Sequence, residues 1–424
     1  MSAGEQVDVL VIGAGVAGAC AAIGAARTLG TRGRVLLVDR SAWPREKVCG
    51  CCLGARGVAV VERLGVDLAS GPARALALKH VRITSRGGAT LELPHAGGRV
   101  LSRSVLDAAL VDAAVRSGAK FRDKCSASVV ERRRGYWHVM LGGECVGARS
   151  VIVADGLGGH ALDRLPDLMP AVSRGSFMGV GARVALSSLG TPTLPEGTVL
   201  MVHGLGGYVG FVRLPDGTID LAAAIDPRRA RRVSAGPIAL LRRILEQAHV
   251  DVTLDANVRL TGTPLLTRRR RMLSMPGLII AGDSAGYVEP FTGEGMTWAA
   301  LSGEQAGAFA AAAVCAGESA LDQVGRAWAA WHDAHIGRMQ TSCRMIRTLL
   351  RTPGLLRCVA TVATRSRALQ RTLAQLSTQI TGDGAPHHDL DAVRLAAEGR
   401  ADEPVPRATL AAVNPTRRMS EDAP

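Results

Sequence analysis

Aromatic residues are scarce in this 424-residue chain, 3% against 47% hydrophobic residues in all. Close packing therefore falls to aliphatic side chains and to backbone brought near by 50 glycines. Nowhere do eighteen apolar residues follow one another, which argues against a membrane-spanning helix. Val7 already opens an apolar run, leaving no room for a signal peptide, so a cytoplasmic protein is expected. Acidic residues are outnumbered, 37 Asp plus Glu against 51 Lys plus Arg, a net charge of +14. The excess is mostly arginine, clustered at Arg132–Arg134, Arg228–Arg232 and Arg268–Arg271. No aromatic-interleaved basic stripe or recognition module accompanies these clusters, so nucleic acid is not an expected partner. An anionic membrane surface, an anionic substrate or coenzyme, or plain solvated charge each fits them. Nine cysteines, an odd number, argue against a disulfide framework. Cys51 and Cys52 have no second Cys or His pair at ligand spacing, so no metal site is expected.

What is present begins at once. Val7–Ile12 is an apolar run, Gly13-x-Gly15-x-x-Gly18 follows without a gap, and a second run, Val35–Val38, ends in Asp39 and Arg40. Strand, glycine turn, helix, strand and acid is the order that holds the ADP half of a dinucleotide. Gly13 permits the tight turn, the backbone through Ala14 to Gly15 can approach a pyrophosphate, and Gly18 lets the helix lie on the sheet. The helix from Val16 to about Leu29 points its positive end at the phosphates. Asp39 can accept hydrogen bonds from ribose hydroxyls.

Length leaves room for two domains. A helix is expected over about 54–64, short strands at 78–85, 89–94 and 98–102, and a strong helix from Ser102 to near Gly118. A meander at 119–141 returns to Ser150–Gly156, which reads as a main-sheet strand ending in Asp155-Gly156. Residues 177–265 are strand-rich, with a helix at 236–248, and read as most of a substrate domain on an antiparallel sheet. The first domain then resumes. The division is 1–176 with 266–318 for the dinucleotide domain, 177–265 for the substrate domain, 319–380 for C-terminal helices, and 381–424 for a tail expected to be disordered.

The second signal is Ala281-Gly-Asp-Ser-Ala-Gly-Tyr-Val-Glu-Pro-Phe-Thr-Gly-Glu-Gly-Met296. Asp283 stands at a strand end, where it can accept from a ribityl hydroxyl; Pro290 fixes a turn; Gly293 and Gly295 open a helix whose free N–H groups can stabilise an anionic ring. Together these segments resemble the FAD-dependent oxidoreductases of the para-hydroxybenzoate hydroxylase fold, and most of all the geranylgeranyl reductase-like family, over about residues 6–310. The resemblance implies a Rossmann-like FAD-binding domain of α/β class with an antiparallel-sheet substrate domain and a helical C-terminal region. It implies that FAD is held by Gly13, Ala14, Gly15, Gly18, Asp39, Arg40, Gly50, Arg103, Asp155, Gly156, Gly282, Asp283, Pro290, Gly293, Gly295 and Met296. Arg103 belongs to an Arg-x-x-Leu/Phe-Asp element whose Arg reaches the cofactor.

Gly286 in place of the hydroxylases' usual His, and Pro290-Phe-Thr-Gly-Glu-Gly295, favour the reductase-like branch. Lys47-Val-Cys49-Gly50 is similar to that family's Lys-x-Cys-Gly-Gly-Gly-Leu, whose Cys lies near flavin and substrate. Cys51 and Cys52 depart from it by replacing two glycines, which stiffens the loop. Cys49 is the candidate reactive thiol, polarised by Lys47 and Arg45. Tyr208 and Phe211, three apart in an expected strand, point to opposite faces, and one of them is expected to line the substrate cavity.

The expected activity is hydride transfer from reduced FAD to a C=C bond of an apolar, isoprenoid-like substrate, with NADPH or another donor reducing the flavin and the basic clusters resting on the inner face of a membrane. The alternative is a monooxygenase that hydroxylates an aromatic or polyketide substrate through a C4a-hydroperoxide. A flavin halogenase and a non-catalytic FAD sensor stand further off.

Overall fold

The computed structural model describes residues 5–190, 194–234, 236–255, 257–289 and 293–351. The protein opens with β1 (Gln6–Ile12), α1 (Val16–Leu29) and β2 (Val35–Val38). It then leaves for a second sheet through β3 (Cys52–Leu53), α2 (Ala55–Arg63), β4 (Leu76–Thr84) and β5 (Thr90–Val100). Helix α3 (Arg103–Arg116) brings it back to β6 (Lys120–Arg122) and a meander of β7 (Ala127–Arg133), β8 (Tyr136–Leu141) and β9 (Glu144–Val153). After a two-residue strand, β10 (Ala171–Val172), come β11 (Met178–Val184), β12 (Thr198–Gly204), β13 (Gly207–Arg213) and β14 (Ile219–Ile225), followed by α4 (Pro227–Arg232) and α5 (Gly236–Gln247). Short strands β15 (Thr261–Leu265), β16 (Arg268–Arg269), β17 (Ser274–Met275), β18 (Leu278–Ile280) and β19 (Gly286–Tyr287) lead into α6 (Gly295–Ala316), α7 (Leu321–His332) and α8 (Arg338–Arg351).

The first sheet runs β17-β18-β9-β1-β2-β6, with β18, β9, β1, β2 and β6 mutually parallel. Its central strands are apolar throughout because both faces are covered. Val9, Val11, Leu37, Ile152 and Ile279 face α1, α3 and α6, whereas Leu10, Ile12, Leu36, Val151 and Ile280 face the β7–β8 ribbon. The shortage of aromatics has a structural counterpart where α1 meets α6. A Cβ on Gly303 would stand 2.1 Å from the Ala17 carbonyl oxygen, and one on Gly307 2.2 Å from that of Ala21. The two backbones touch, and only glycine allows it.

The second sheet runs β15-β11-β14-β13-β12-β4-β5-β3. Three sequence expectations need correction. The sheet is mixed, since β12 and β4 pair in parallel. It also draws β3, β4 and β5 from the stretch before residue 177, so the backbone enters this sheet twice. The strands expected separately at 89–94 and 98–102 form one, β5, whose irregularity lies opposite Leu78 and His80. There Pro94, which has no N–H to give, pairs with His80, and the three residues after it are absorbed in a bulge. Helix α5 covers one face of the sheet, with Phe211, Leu221, Leu241 and Ile244 in the core between them. The C-terminal helices expected over 319–380 are described as far as Arg351; the tail expected at 381–424 lies outside the described residues.

Trp328 of α7 packs edge-on against Phe309 of α6 at 5.9 Å, so the two tryptophans of α7 cover a helix interface. His335 stacks on Trp331 and His332 packs tilted against Trp328, and burial holds His332 down at about 4.

Candidate functional site

One cavity of about 1240 Å³ runs from the glycine turn after β1 to the open face of the second sheet. Its polar end is built from strand ends. Gly13, at φ +99, leaves no space: a Cβ there would stand 2.4 Å from the Ala154 carbonyl oxygen. Gly15 is different. Its backbone is extended, and a Cβ would stand 3.2 Å from an Arg45 Nη2 and 3.4 Å from an Arg103 Nη2. Two guanidiniums therefore hang over the N-terminus of α1, with only a glycine beneath them.

Arg103 is held there by Asp107, one helical turn on, through Nε at 2.9 Å and Nη2 at 2.7 Å. Burial works against its charge, but Asp107, with lesser help from Cys49 and Asp283, offsets this and raises the guanidinium above its ordinary value. Arg45 lies 3.5 Å from both Asp39 and Asp107 and rests over the Trp43 ring at 5.2 Å. Arg45 is not singled out by the spacing of the glycine motif. Asp107 is the acid of the Arg-x-x-Leu/Phe-Asp element and stands four residues after Arg103 on a helix, the offset at which an ion pair forms.

Asp39 also has a structural use. Its Oδ2 accepts from the Ala14 N–H at 2.9 Å and its Oδ1 from the Ser41 N–H at 2.9 Å, so it ties the glycine turn to the end of β2. Arg40 is exposed beside it on the cavity wall. Across the cavity, Ser284 donates to Asp155 Oδ1 at 2.8 Å and accepts from the Gly156 N–H at 2.7 Å, joining the ends of β9 and β18. Asp283 lies 3.5 Å from Lys47 Nζ. Gly282, at φ +60, donates its N–H to Ser302 on α6. Gly293 (φ +77) and Gly295 open α6 toward the cavity, with Met296 buried behind them. Gly50 borders the cavity with nothing within 4 Å of where a Cβ would be. Pro290 lies outside the described residues.

Cys49 borders the cavity, but its environment corrects the expected polarisation. Burial pushes its thiol up, and the cation that opposes this is Arg103, not Lys47 or Arg45. Burial wins, so Cys49 is a protonated thiol at neutral pH.

Glu294 belongs to the Pro290-Phe-Thr-Gly-Glu-Gly295 segment, but its environment is not legible there. It is buried at the start of α6, its Oε2 has no hydrogen-bond partner, and burial pushes it up to about 7. A carboxyl whose folded value is raised is most stabilising below its unfolded value, and that stability is lost as pH rises through 7. Glu294→Gln is therefore expected to raise the melting temperature at pH 8 and leave it nearly unchanged at pH 5. The stability difference is on the order of 3 kcal/mol. Equal shifts at both pH values in a thermal melt would contradict the assignment.

The apolar end is the face of the second sheet away from α5. Pairing register places Gly181, Ala222, Gly210, Met201, Ile83 and Leu91 in one row across β11, β14, β13, β12, β4 and β5. Small residues make a deep floor under the first three strands, and aliphatic side chains make a wall beyond. Five strand spacings give this row a reach of roughly 24 Å. Tyr208 lies on the cavity face beside Met201 and Ala224, whereas the Phe211 ring belongs to the core under α5. The opposite-faces expectation holds, and the substrate-side position falls to Tyr208; Phe211 is corrected to a packing residue.

Among the described residues no group of three His, Cys, Asp or Glu side chains is placed to hold a metal ion, and no helix is long and apolar enough to cross a membrane.

A parallel sheet that opens on a glycine turn, paired guanidiniums above that turn and a cavity continuous with a second sheet define a flavin-dependent oxidoreductase. The chain belongs to the FAD binding domain family, which it matches over residues 6–323, and FAD is its cofactor. It is similar to the menaquinone reductase of Mycobacterium tuberculosis, 28% identical over 416 residues covering 90% of this chain and 93% of that one. It is also similar to the digeranylgeranylglycerophospholipid reductase of Methanosarcina acetivorans, 27% identical over 333 residues covering 75% and 78%. Among solved structures the flavin-dependent brominase Bmp2 superposes with a TM-score of 0.73 over 93% of this chain and 98% of that one. At 15% identity this likeness shows the fold alone.

The site fits an extended FAD. The bare backbone at Gly15 between two guanidiniums suits a pyrophosphate, and the N-terminus of α6 suits the anionic end of a reduced flavin.

Proposed function

We propose that this enzyme reduces C=C bonds in an extended, apolar, isoprenoid-bearing substrate such as a polyprenyl quinone or prenyl lipid. The observation that carries the reading is the row from Gly181 to Leu91, an apolar strip continuous with the FAD cavity. The similarity to reductases named for menaquinone and for a digeranylgeranyl lipid supports it.

Reduced FAD supplies the hydride equivalent. In this reading Gly13, Ala14, Gly15 and Gly18 bring backbone to the pyrophosphate, and Arg45 and Arg103 neutralise it. Asp39 fixes the glycine turn that they face. Asp283, beside Lys47, would hold the ribityl group, and Gly293 with the start of α6, Gly295 and Met296, would hold the flavin ring. Cys49, Gly50 and Tyr208 line the cavity where the reacting carbon would lie, and the aliphatic wall would exclude water from it. NADPH or another small donor reduces the flavin. The enzyme works in the cytoplasm against the inner membrane face, where such substrates partition, and its arginine clusters favour anionic lipid.

Ala222 stands on the small-residue floor, so Ala222→Leu is expected to fill the strip. It should weaken menaquinone binding at least tenfold, read from the perturbation of the flavin spectrum on titration, with flavin content unchanged. Unaltered binding would place the substrate elsewhere.

A further inference from the structure

Asp220 is, among the described residues of the second sheet, the one acid on the cavity face. It occupies β14 two residues before Ala222, opposite Arg183 on β11 and Val212 on β13. Its neighbours along the same row, Val212, Val199, Val81 and Leu93, are all apolar. Asp220 borders the cavity, yet its Oδ2 is buried without a hydrogen-bond partner. The Cys51 thiol donates to its carboxyl. Cys51 reaches it from φ +52, a left-handed conformation that a residue with a side chain rarely holds. The other charged or titratable groups around it are Arg183, Glu46, Cys49 and Cys52. Arg183 lies 3.3 Å from Glu46 and 3.9 Å from Asp216, so its charge is shared with two other carboxylates.

We propose that Asp220 is the acid that protonates the substrate carbon next to the one that receives hydride, an inference that rests on the C=C reductase reading. The balance is simple. The π bond breaks, one C–H bond forms with hydride from reduced FAD, and a second forms with the Asp220 proton. The flavin is oxidised by two electrons, and Asp220 is left as a carboxylate until solvent reprotonates it. An isolated alkene has no carbonyl to stabilise the charge that hydride addition leaves, so a positioned acid is needed. The surroundings keep the proton available: burial pushes the Asp220 carboxyl up to about 7, against weaker opposing pulls from the Cys51 hydrogen bond and Arg183.

The test uses FAD-loaded enzyme, reduced with dithionite under nitrogen and mixed with menaquinone. Wild type should saturate a C=C bond in the quinone's isoprenoid tail with a rate that falls tenfold per pH unit above about 7. In D2O it should place two solvent deuteria in that tail, one from the flavin, whose transferable hydrogen comes from solvent on reduction by dithionite, and one from the acid. Asp220→Asn, which mimics the protonated acid in shape, should keep its flavin and its melting temperature at pH 6 yet lose at least a hundredfold in rate. Cys51→Gly removes a hydrogen bond to the carboxylate and should move the alkaline limb to higher pH, a shift that a merely structural role would not produce. Measured in the Glu294→Gln background, so that the other carboxyl raised to about 7 does not contribute, the infrared band of a protonated carboxyl should titrate near 7 and be missing once Asp220→Asn is added, which reports on the acid itself without any substrate. Full rate in Asp220→Asn, or no titrating band, overturns the proposal while leaving the reductase reading intact. A wild type that saturates no C=C bond overturns that reading, and the proton-donor role with it, whatever the infrared band does.

Discussion

The Gly15→Val variant is expected to fold normally and to be colourless. Gly15 has φ −72, which valine tolerates, and no backbone atom lies among the contacts its Cβ would make. The atoms it meets are the mobile ends of Arg45 and Arg103, which can move aside. What a branched side chain occupies is the gap above the first turn of α1, where a pyrophosphate must approach backbone N–H groups. Flavin content should fall below a tenth of wild type, with circular dichroism and melting temperature little changed. Gly18→Val provides the contrast. A Cβ there would stand 1.7 Å from the Gly13 carbonyl oxygen, so the turn itself must give way and the protein should be lost to aggregation. A yellow Gly15→Val protein would mean that the cofactor lies elsewhere.

Arg103→Ala should cost both cofactor and stability. Asp107 is fully buried and receives two short bonds from Arg103. Removing that partner leaves a buried carboxylate with only Arg45 at 3.5 Å, a loss of about 3–5 kcal/mol. The double variant Arg103→Met with Asp107→Leu removes the charge together with its partner. It should recover most of the melting temperature but none of the flavin. Recovery of flavin in the double variant would show that Arg103 acts through Asp107 alone and does not meet the cofactor.

The strand, glycine turn and acid at the N-terminus are legible in sequence because each is a local requirement of backbone geometry, met within forty residues. The same holds for Gly282–Gly295, where a second strand ends in a second glycine turn. What sequence does not yield is assembled across long separations. Arg45 follows an irregular stretch and gains meaning only when α3 sets Arg103 and Asp107 beside it. The mixed character of the second sheet is hidden because β4 and β12 are separated by more than a hundred residues, and parallel pairing leaves no hairpin signal. Asp220 sits in an apolar strand as a single acid, which pattern reading treats as the solvent face. Register shows that this face is the cavity. Cys51 reads in sequence only as stiffening a loop; its positive φ and its bond to Asp220 give the replacement of glycine a definite geometry. Asp39 stands where its spacing places it, and its bonds to the Ala14 and Ser41 N–H groups, which leave an acceptor site on each oxygen, are not expressed by motif spacing.

The central claim is most directly tested by a single turnover without oxygen. Enzyme carrying dithionite-reduced flavin, freed of excess reductant under nitrogen, is mixed with menaquinone, and the quinone ring is reoxidised in air after the protein has been removed. The account predicts that oxidised-flavin absorbance returns before any air is admitted, and that the recovered quinone is heavier by two hydrogens held in its isoprenoid tail. Flavin that stays reduced until oxygen enters, with a product heavier by one oxygen, would contradict it and identify a hydroxylase.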